Sequence, residues 1–368
     1  MAVYWMLIVC SAVLGIPLCG LYEKKSGKRL TVYCIVMGAV LFAVSAFRLS
    51  VGYDYNMYAT LFYDMNFMTY EEIGHIQREM GMLFPVKLLE VFTYDYFPAF
   101  VMISAVIYPL LMVYIRKYSD NPWIAVFSFL ALGVFFNSLN FLRQFIAALI
   151  CAFAYRYAQK GKFLRFAVFV LLAASFHRSA FLIIPCYVFV LIEMNGLILF
   201  FTLITSICAY LLSDIGLELV TEYIYTNYDP TKNAEIMTGL PPMYAVMFGA
   251  VFAAAFLLRS RIQAEEREKN ILLWCSYGAF FFELMGTKHG IVSRIALLFF
   301  IPVVCLLLPK VFIAARDVLK EKLSGGKWIA AVFLMALMCL NYGLLLQRNY
   351  NGVLPYCTVA ERGGGESG

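Results

Sequence analysis

Five short stretches hold most of the residues that could do chemistry. In RLSVGYDYNMYATLF, Arg48 is followed by Gly52, Asp54, Tyr55 and Tyr58. In NSLNFLRQFIAALI, Asn140 stands just before Arg143 and Gln144, with a long apolar run behind them. ASFHRSAFLIIP brings His177, Arg178 and Ser179 together, and GTKHGIVSRIALLFF brings Lys288, His289 and Arg294. EMGMLFPVKLLEVF opens on Glu79. A guanidinium is planar and offers five donors, a shape that matches phosphate and diphosphate oxygens. A carboxylate such as Asp54 or Glu79 can take the proton of an attacking hydroxyl. Each stretch also has a plainer reading. The first fits a helix cap with interfacial tyrosines, and Arg143 and Arg294 could extend to lipid headgroups. Gln144 has no charge to extend, so headgroup contact does not account for it.

The elements that must carry these residues are set by composition. The chain has 368 residues, 63% hydrophobic and only 14% charged, with a mean hydropathy of +0.79. A soluble domain keeps about a quarter of its residues charged, so this chain has too little polar surface to give to water. Its apolar runs approach about 20 residues, the length of a bilayer crossing at 1.5 Å per residue. We read about twelve spans, at 3–21, 31–48, 95–115, 121–138, 140–158, 163–176, 179–193, 196–213, 241–258, 270–287, 290–308 and 328–346. The segment 79–92 is apolar but short and broken by Pro85, so it reads as a re-entrant or interfacial helix in a long outer loop, 49–94. A second outer loop runs from 214 to 240. The expected architecture is one all-α membrane domain, 1–346, followed by an outer tail, 347–368. Nine of the ten cysteines lie inside or at the ends of apolar runs, and no CxxC pair occurs, which points to neither a metal site nor a disulfide framework. The first run, Val3 to Leu21, lacks a basic leader and reads as a span.

Charge then orients the spans. If the loop at 22–30 is cytoplasmic, alternation places 19 of the 29 lysines and arginines on that side, in short loops. The positive-inside rule therefore puts both termini outside. Basic residues distributed loop by loop in this way are no nucleic-acid signature. Asp54, Glu79, Glu283 and all three histidines fall on the outer face, as do Arg48, Arg143, Arg178 and Arg294. Cations and carboxylates at one depth suit a lipid-linked diphosphate bound from the outer leaflet, with an acid group free to act on a hydroxyl.

Taken in order, RLSVGYDYNMY, EMGMLFPVKLL, NFLRQFIAALI, FHRSAFLIIP, SRIALLFF and the terminal VLPY resemble the EpsG-like group of Wzy-type polysaccharide polymerases. The most specific pieces are the G-x-D-x-x-x-Y from Gly52 to Tyr58, the LRQ from Leu142 to Gln144 and the FH-x-S from Phe176 to Ser179. The resemblance implies a multi-pass glycosyltransferase of the bacterial cytoplasmic membrane, for which a GT-C-like arrangement is one form. It implies that oligosaccharide repeats on undecaprenyl diphosphate are joined at the outer leaflet, in exopolysaccharide, capsule or O-antigen synthesis. The growing glycan passes from its carrier to the non-reducing end of the incoming repeat. Membrane lipids, a chain-length regulator and a flippase are the implied partners, and no cofactor or metal is called for.

Arg143 and His177 fall on the LRQ and FH motifs, and Asp54 and Glu79 on acidic positions of the family. The sequence departs from the family's pattern at Met80 and Met82 around Gly81. On this reading Arg143 holds the diphosphate, with His177 and Arg294 as supporting donors and Arg48 as a second candidate. Asp54 is the first choice of base and Glu79 the second. Tyr58, Asn140, Gln144, Arg178 and Ser179 complete the substrate-binding set. A flippase or other transporter of lipid-linked oligosaccharides, or a ligase-type transferase, would want a similar cationic face.

Overall fold

A computed structural model describes residues 1–21, 27–76, 79–215, 239–322 and 326–360. Its regular elements are all helical. The first two, α1 (Ala2–Cys19) and α2 (Gly27–Ala46), pack side by side. Short helices α3 (Tyr55–Asp64), α4 (Tyr70–Ile76) and α5 (Met80–Lys87) follow, then the long α6 (Phe97–Tyr118) against α2. A bent pair, α7 (Pro122–Ala131) and α8 (Val134–Asn140), leads into α9 (Leu142–Gln159) and α10 (Phe163–Phe176). After α11 (Cys186–Phe189) and α12 (Gly196–Leu211) come α13 (Met243–Leu257), α14 (Glu266–Gly286) and α15 (Gly290–Pro302). A π-helical turn, Val303–Leu307, carries α15 directly into α16 (Leu308–Lys322), and α17 (Gly326–Gln347) closes the set.

A helix or helical turn stands at each of the twelve expected spans, but their lengths differ. Among the described residues, four are long and apolar enough to cross a membrane: α1, α2, α6 and the continuous run Gly290–Glu321. The α7–α8 pair makes a fifth if its 66° bend is taken within one span. The rest are shorter apolar helices, or, like α9 and α14, carry charged residues within them. The 14 residues of α10 rise only about 21 Å, short of a hydrocarbon core of about 30 Å. The chain is thus a multi-pass membrane protein whose middle helices are too short to be counted as crossings on length alone.

Three expectations need correcting. The span at 179–193 is shorter than expected, a 3-10 turn, Arg178–Ile183, running into the single turn of α11 with Pro185 between them. The stretch after residue 308, read as a loop, is helix α16, since ARDVLKEK is rich in helix formers despite its charge. The long loop 49–94 is mostly helical, with α3 and α4 ahead of the short helix expected at 79–92. The loop at 214–240 lies mostly outside the described residues, as do Arg78, Lys232 and Arg362.

Two features position the centre of the molecule. Gly133 sits at the α7–α8 bend with φ of +71°, a conformation that costs a residue with a side chain. A Cβ there would also come within 2.4 Å of the Tyr244 hydroxyl. The bend turns Asn137, Ser138 and Asn140 into the protein interior, where α9 is packed by α6, α10, α14 and α15. The tail beyond α17 then folds back over α2. Leu49 N–H donates to Cys357 O, Val359 N–H to Phe47 O and Gly52 N–H to Gly352 O, all at 3.0 Å.

Among the described residues, every ion pair joins two members of the same expected face. Arg156–Glu268, Lys310–Asp120 and Arg261–Glu321 link residues of the cytoplasmic set. Arg143–Glu79, Lys288–Asp214 and His289–Asp214 link residues of the outer set. The charges are therefore divided between two ends of the bundle as alternation requires.

Candidate functional site

The site is built on the first turn of α9 and the second of α15. Arg143 is the second residue of α9 and Arg294 the fifth of α15. A cation in the first turn of a helix opposes the helix dipole, which favours negative charge there. Something anionic must answer it. For Arg143 the answer is Glu79, whose Oε2 lies 3.1 Å from Nη1, with the two side chains only 17% and 15% exposed. Glu79 Oε1 also accepts the Arg178 backbone N–H at 2.8 Å, so both oxygens of this carboxylate are engaged. The α5 helix reaches that position because Gly81 lies against α10. A Cβ there would come within 2.9 Å of the Ser175 backbone.

Tyr58, buried on α3, accepts a further hydrogen bond from Arg143. His177 caps the end of α10 beside this group. Its Nδ1 accepts from the Ser179 backbone N–H at 3.3 Å and lies 2.8 Å from Ser179 Oγ. A backbone N–H can only donate, so the ring proton sits on Nε2 and that edge is a donor. Burial lowers the His177 pKa below its usual value; Glu79 opposes the shift, while Arg143 and Arg294 add to it. His177 is therefore a neutral donor rather than a third cation. The Arg178 side chain is exposed, and only its backbone enters the cluster.

Arg294 is placed differently. Gln144 donates to the Arg294 carbonyl oxygen at 2.6 Å, which ties α9 to α15 at this point. The guanidinium lies 5.2 Å from the centre of the Phe141 ring and lines a cavity of about 730 Å³. Among the described residues it makes no ion pair. Asp54 lines the same cavity. Its backbone N–H donates to Asn140 Oδ1 at 3.2 Å, while Asn140 Nδ2 donates to Phe136 O and Asn351 O, both at 3.1 Å. Gly52, at φ of +102°, lets the chain pass over Asn140. Burial raises the Asp54 pKa above the ordinary carboxylate value, and Arg294 and then Arg143 pull it back. Asp54 thus sits within electrostatic reach of both arginines.

Arg48 parts from the expectation of a cation facing a ligand. It is fully buried, with Nε donating to Val51 O, Nη1 to Ser45 O and Nη2 to Leu139 O, at 3.3, 2.7 and 2.8 Å. The rings of Tyr55 and Phe100 flank it. These contacts tie the end of α2 to α8 and leave the guanidinium facing protein. Asn140 and Gln144 are likewise buried with protein partners, so both hold the site's shape. Arg348, Tyr350 and Glu283 also line the cavity, and motif reading did not single them out. Glu283 lies at the far end of α14 from that helix's other charges, Glu266 to Lys269, and Arg348 and Tyr350 reach the cavity only because the tail folds back.

With the geometry in place, the sequence matches the EpsG family over residues 31–358. The chain belongs to the EpsG family. Membership connects it with exopolysaccharide biosynthesis. The matched region runs from α2 to the returning tail and so includes every residue of the cluster and the cavity wall. Curated proteins and solved structures give no match. No group of histidine, cysteine or carboxylate side chains that could hold a metal occurs among the described residues.

Proposed function

We propose that this EpsG-family protein is a membrane glycosyltransferase that polymerises oligosaccharide repeats carried on undecaprenyl diphosphate at the outer leaflet. The observation that carries the reading is the sharing of one 730 Å³ cavity by Asp54 and Arg294, with the Arg143–Glu79 pair beside it. Arg294, with no carboxylate partner among the described residues, is free to take a diphosphate oxygen. A guanidinium preorganised where negative charge develops lowers the barrier to departure of the carrier diphosphate. Arg143 supplies positive potential from behind, and His177 offers its Nε2–H to the same charge. Asp54 takes the proton of the acceptor hydroxyl, and direct attack by that hydroxyl inverts the anomeric centre.

Glu79 is the weaker choice of base, because both of its oxygens are already engaged by Arg143 and the Arg178 amide. Its role is to hold Arg143. Arg48 shapes the wall on which Asp54 stands. Both termini outside, a single membrane domain and roughly twelve crossings complete this reading, supported by the division of ion pairs between two faces.

The test is transfer by the full chain in lipid nanodiscs, supplied with the lipid-linked repeat from its own host and read as polymer length. Wild-type protein should extend the glycan without nucleotide sugar, and Asp54→Asn and Arg294→Ala should not. Full-length polymer from both variants would refute the assignment. Lipid-linked repeat that moves across the bilayer without being joined would indicate a transporter instead.

A further inference from the structure

Glu283 lies in the last turn of α14, on the wall of the cavity that holds Asp54 and Arg294. Its side chain is only 7% exposed. Among the described residues it makes no hydrogen bond or ion pair. A carboxylate removed from water without donors is costly to a fold. Such a cost is expected where a ligand supplies the missing donors.

The surroundings say which ligand. The groups that feel the Glu283 charge are the phenols of Tyr244 and Tyr350. Their rings stack at 4.7 Å and 21°. Asn137 and Asn351, joined by a 2.6 Å hydrogen bond, complete this side of the cavity. Tyr350 is presented by a turn in which Asn349 and Asn351 take left-handed φ values of 48° and 63°. Asn349 is fixed there by accepting from Leu354 N–H at 2.8 Å and donating to Leu354 O at 3.1 Å. Strain of this kind is kept where the backbone has a part to play.

A carboxyl group without a cation partner is a poorer place for a diphosphate than Arg294 on the same cavity. Acceptor oxygens set among aromatic rings and carboxamides match the hydroxyls and apolar face of a sugar. We propose that Glu283, with Tyr350 and Tyr244, forms a carbohydrate subsite of the cavity, in which the carboxylate accepts hydrogen bonds from hydroxyls of one sugar ring. The subsite rests on the glycosyltransferase reading above for its place in the reaction, though its binding can be measured without it.

The experiment uses the full chain in nanodiscs and two probes. One is undecaprenyl diphosphate. The other is the repeat oligosaccharide obtained by partial hydrolysis of the host's exopolysaccharide, with binding followed by saturation-transfer NMR titration. Glu283→Gln should weaken oligosaccharide binding about tenfold, the loss of one charge-assisted hydrogen bond. It should leave undecaprenyl diphosphate within about twofold, inside the error of such a titration. Its melting temperature should stay close to that of the wild type, because Gln keeps the shape of a side chain with no hydrogen bond or ion pair among the described residues; a merely structural Glu283 would lower it. Arg294→Ala should show the opposite probe preference. Unchanged oligosaccharide affinity in Glu283→Gln, or a wild-type protein that does not bind the oligosaccharide, overturns the subsite. A wild-type protein that binds the oligosaccharide through Glu283 but ignores undecaprenyl diphosphate would leave the subsite standing and remove the diphosphate reading.

Discussion

Replacing Glu79 separates two roles that a carboxylate near a reaction centre can have. As base, it would lose its proton-accepting oxygen in Glu79→Gln and the reaction would stop. As anchor of Arg143, it would lose charge but keep shape. At 3.1 Å the attraction between the unit charges is about 5 kcal/mol for an effective dielectric of 20. Desolvation of two largely buried groups offsets much of this, and removing one partner of such a pair leaves a net cost of about 3 kcal/mol, the low end for buried pairs because both groups keep some contact with solvent. The amide of Gln can still accept from the Arg178 N–H, so the α5–α10 junction should hold. The expected result is a lower melting temperature with folded protein still recovered. Transfer should fall about tenfold to a hundredfold, since Arg143 keeps Tyr58 but loses its fixed charge. Glu79→Ala, which also removes the acceptor for Arg178, should be less stable than Glu79→Gln. Thermal melting in detergent and polymer formation in nanodiscs measure the two effects. Transfer abolished in Glu79→Gln at wild-type stability would make Glu79 the base and refute the anchoring role.

Arg294→Ala should leave the melting temperature nearly unchanged, because the guanidinium lies over Phe141 without an ion pair among the described residues, yet weaken undecaprenyl diphosphate binding by about 2 kcal/mol, some thirtyfold. Arg48→Met is expected to act in reverse, lowering stability by about 2–3 kcal/mol through the carbonyls of Ser45, Val51 and Leu139 left without donors, and reducing activity only as far as folded protein is lost. Transfer measured against pH should fall on the acid side, with a limb above the ordinary carboxylate value of about 4, because burial raises the Asp54 pKa and only the ionised form accepts a proton. Its effect on stability has the opposite sign: an acid with a raised folded value stabilises the fold at low pH, and that contribution is lost as pH rises through the folded value. Asp54→Asn should abolish transfer and flatten the acid side of the stability curve. Ser179→Ala should reduce transfer modestly and leave binding of the oligosaccharide intact, since it removes a hydroxyl partner of His177 Nδ1 but keeps the backbone N–H that sets the tautomer.

What could be read from the sequence followed how local the physics was. The places of the helices were legible because apolar runs are set by the residues inside them. Their lengths were less so: charged α16 and short α3 and α4 are helices without the apolar signal that marks a crossing. Arg143, Glu79 and His177 were found by residue type and motif, and they do gather at one point. Their division of labour depends on geometry that no spacing encodes. Arg48 and Arg294 look alike in sequence, each an arginine at a span end, yet one is enclosed by three carbonyls and the other faces a cavity. The difference comes from α8, whose Leu139 carbonyl reaches Arg48 only because Gly133 bends the chain 66° ahead of it. Glu283 shows the same limit from the other side. A carboxylate at the apolar end of α14 carries no motif, and its meaning lies in what fails to approach it. Cations that can hold a phosphate declare themselves by residue type. The groups that recognise neutral hydroxyls are ordinary until the tail returns to set Tyr350 beside them, which places the least legible part of the cavity on the sugar side of the proposed reaction.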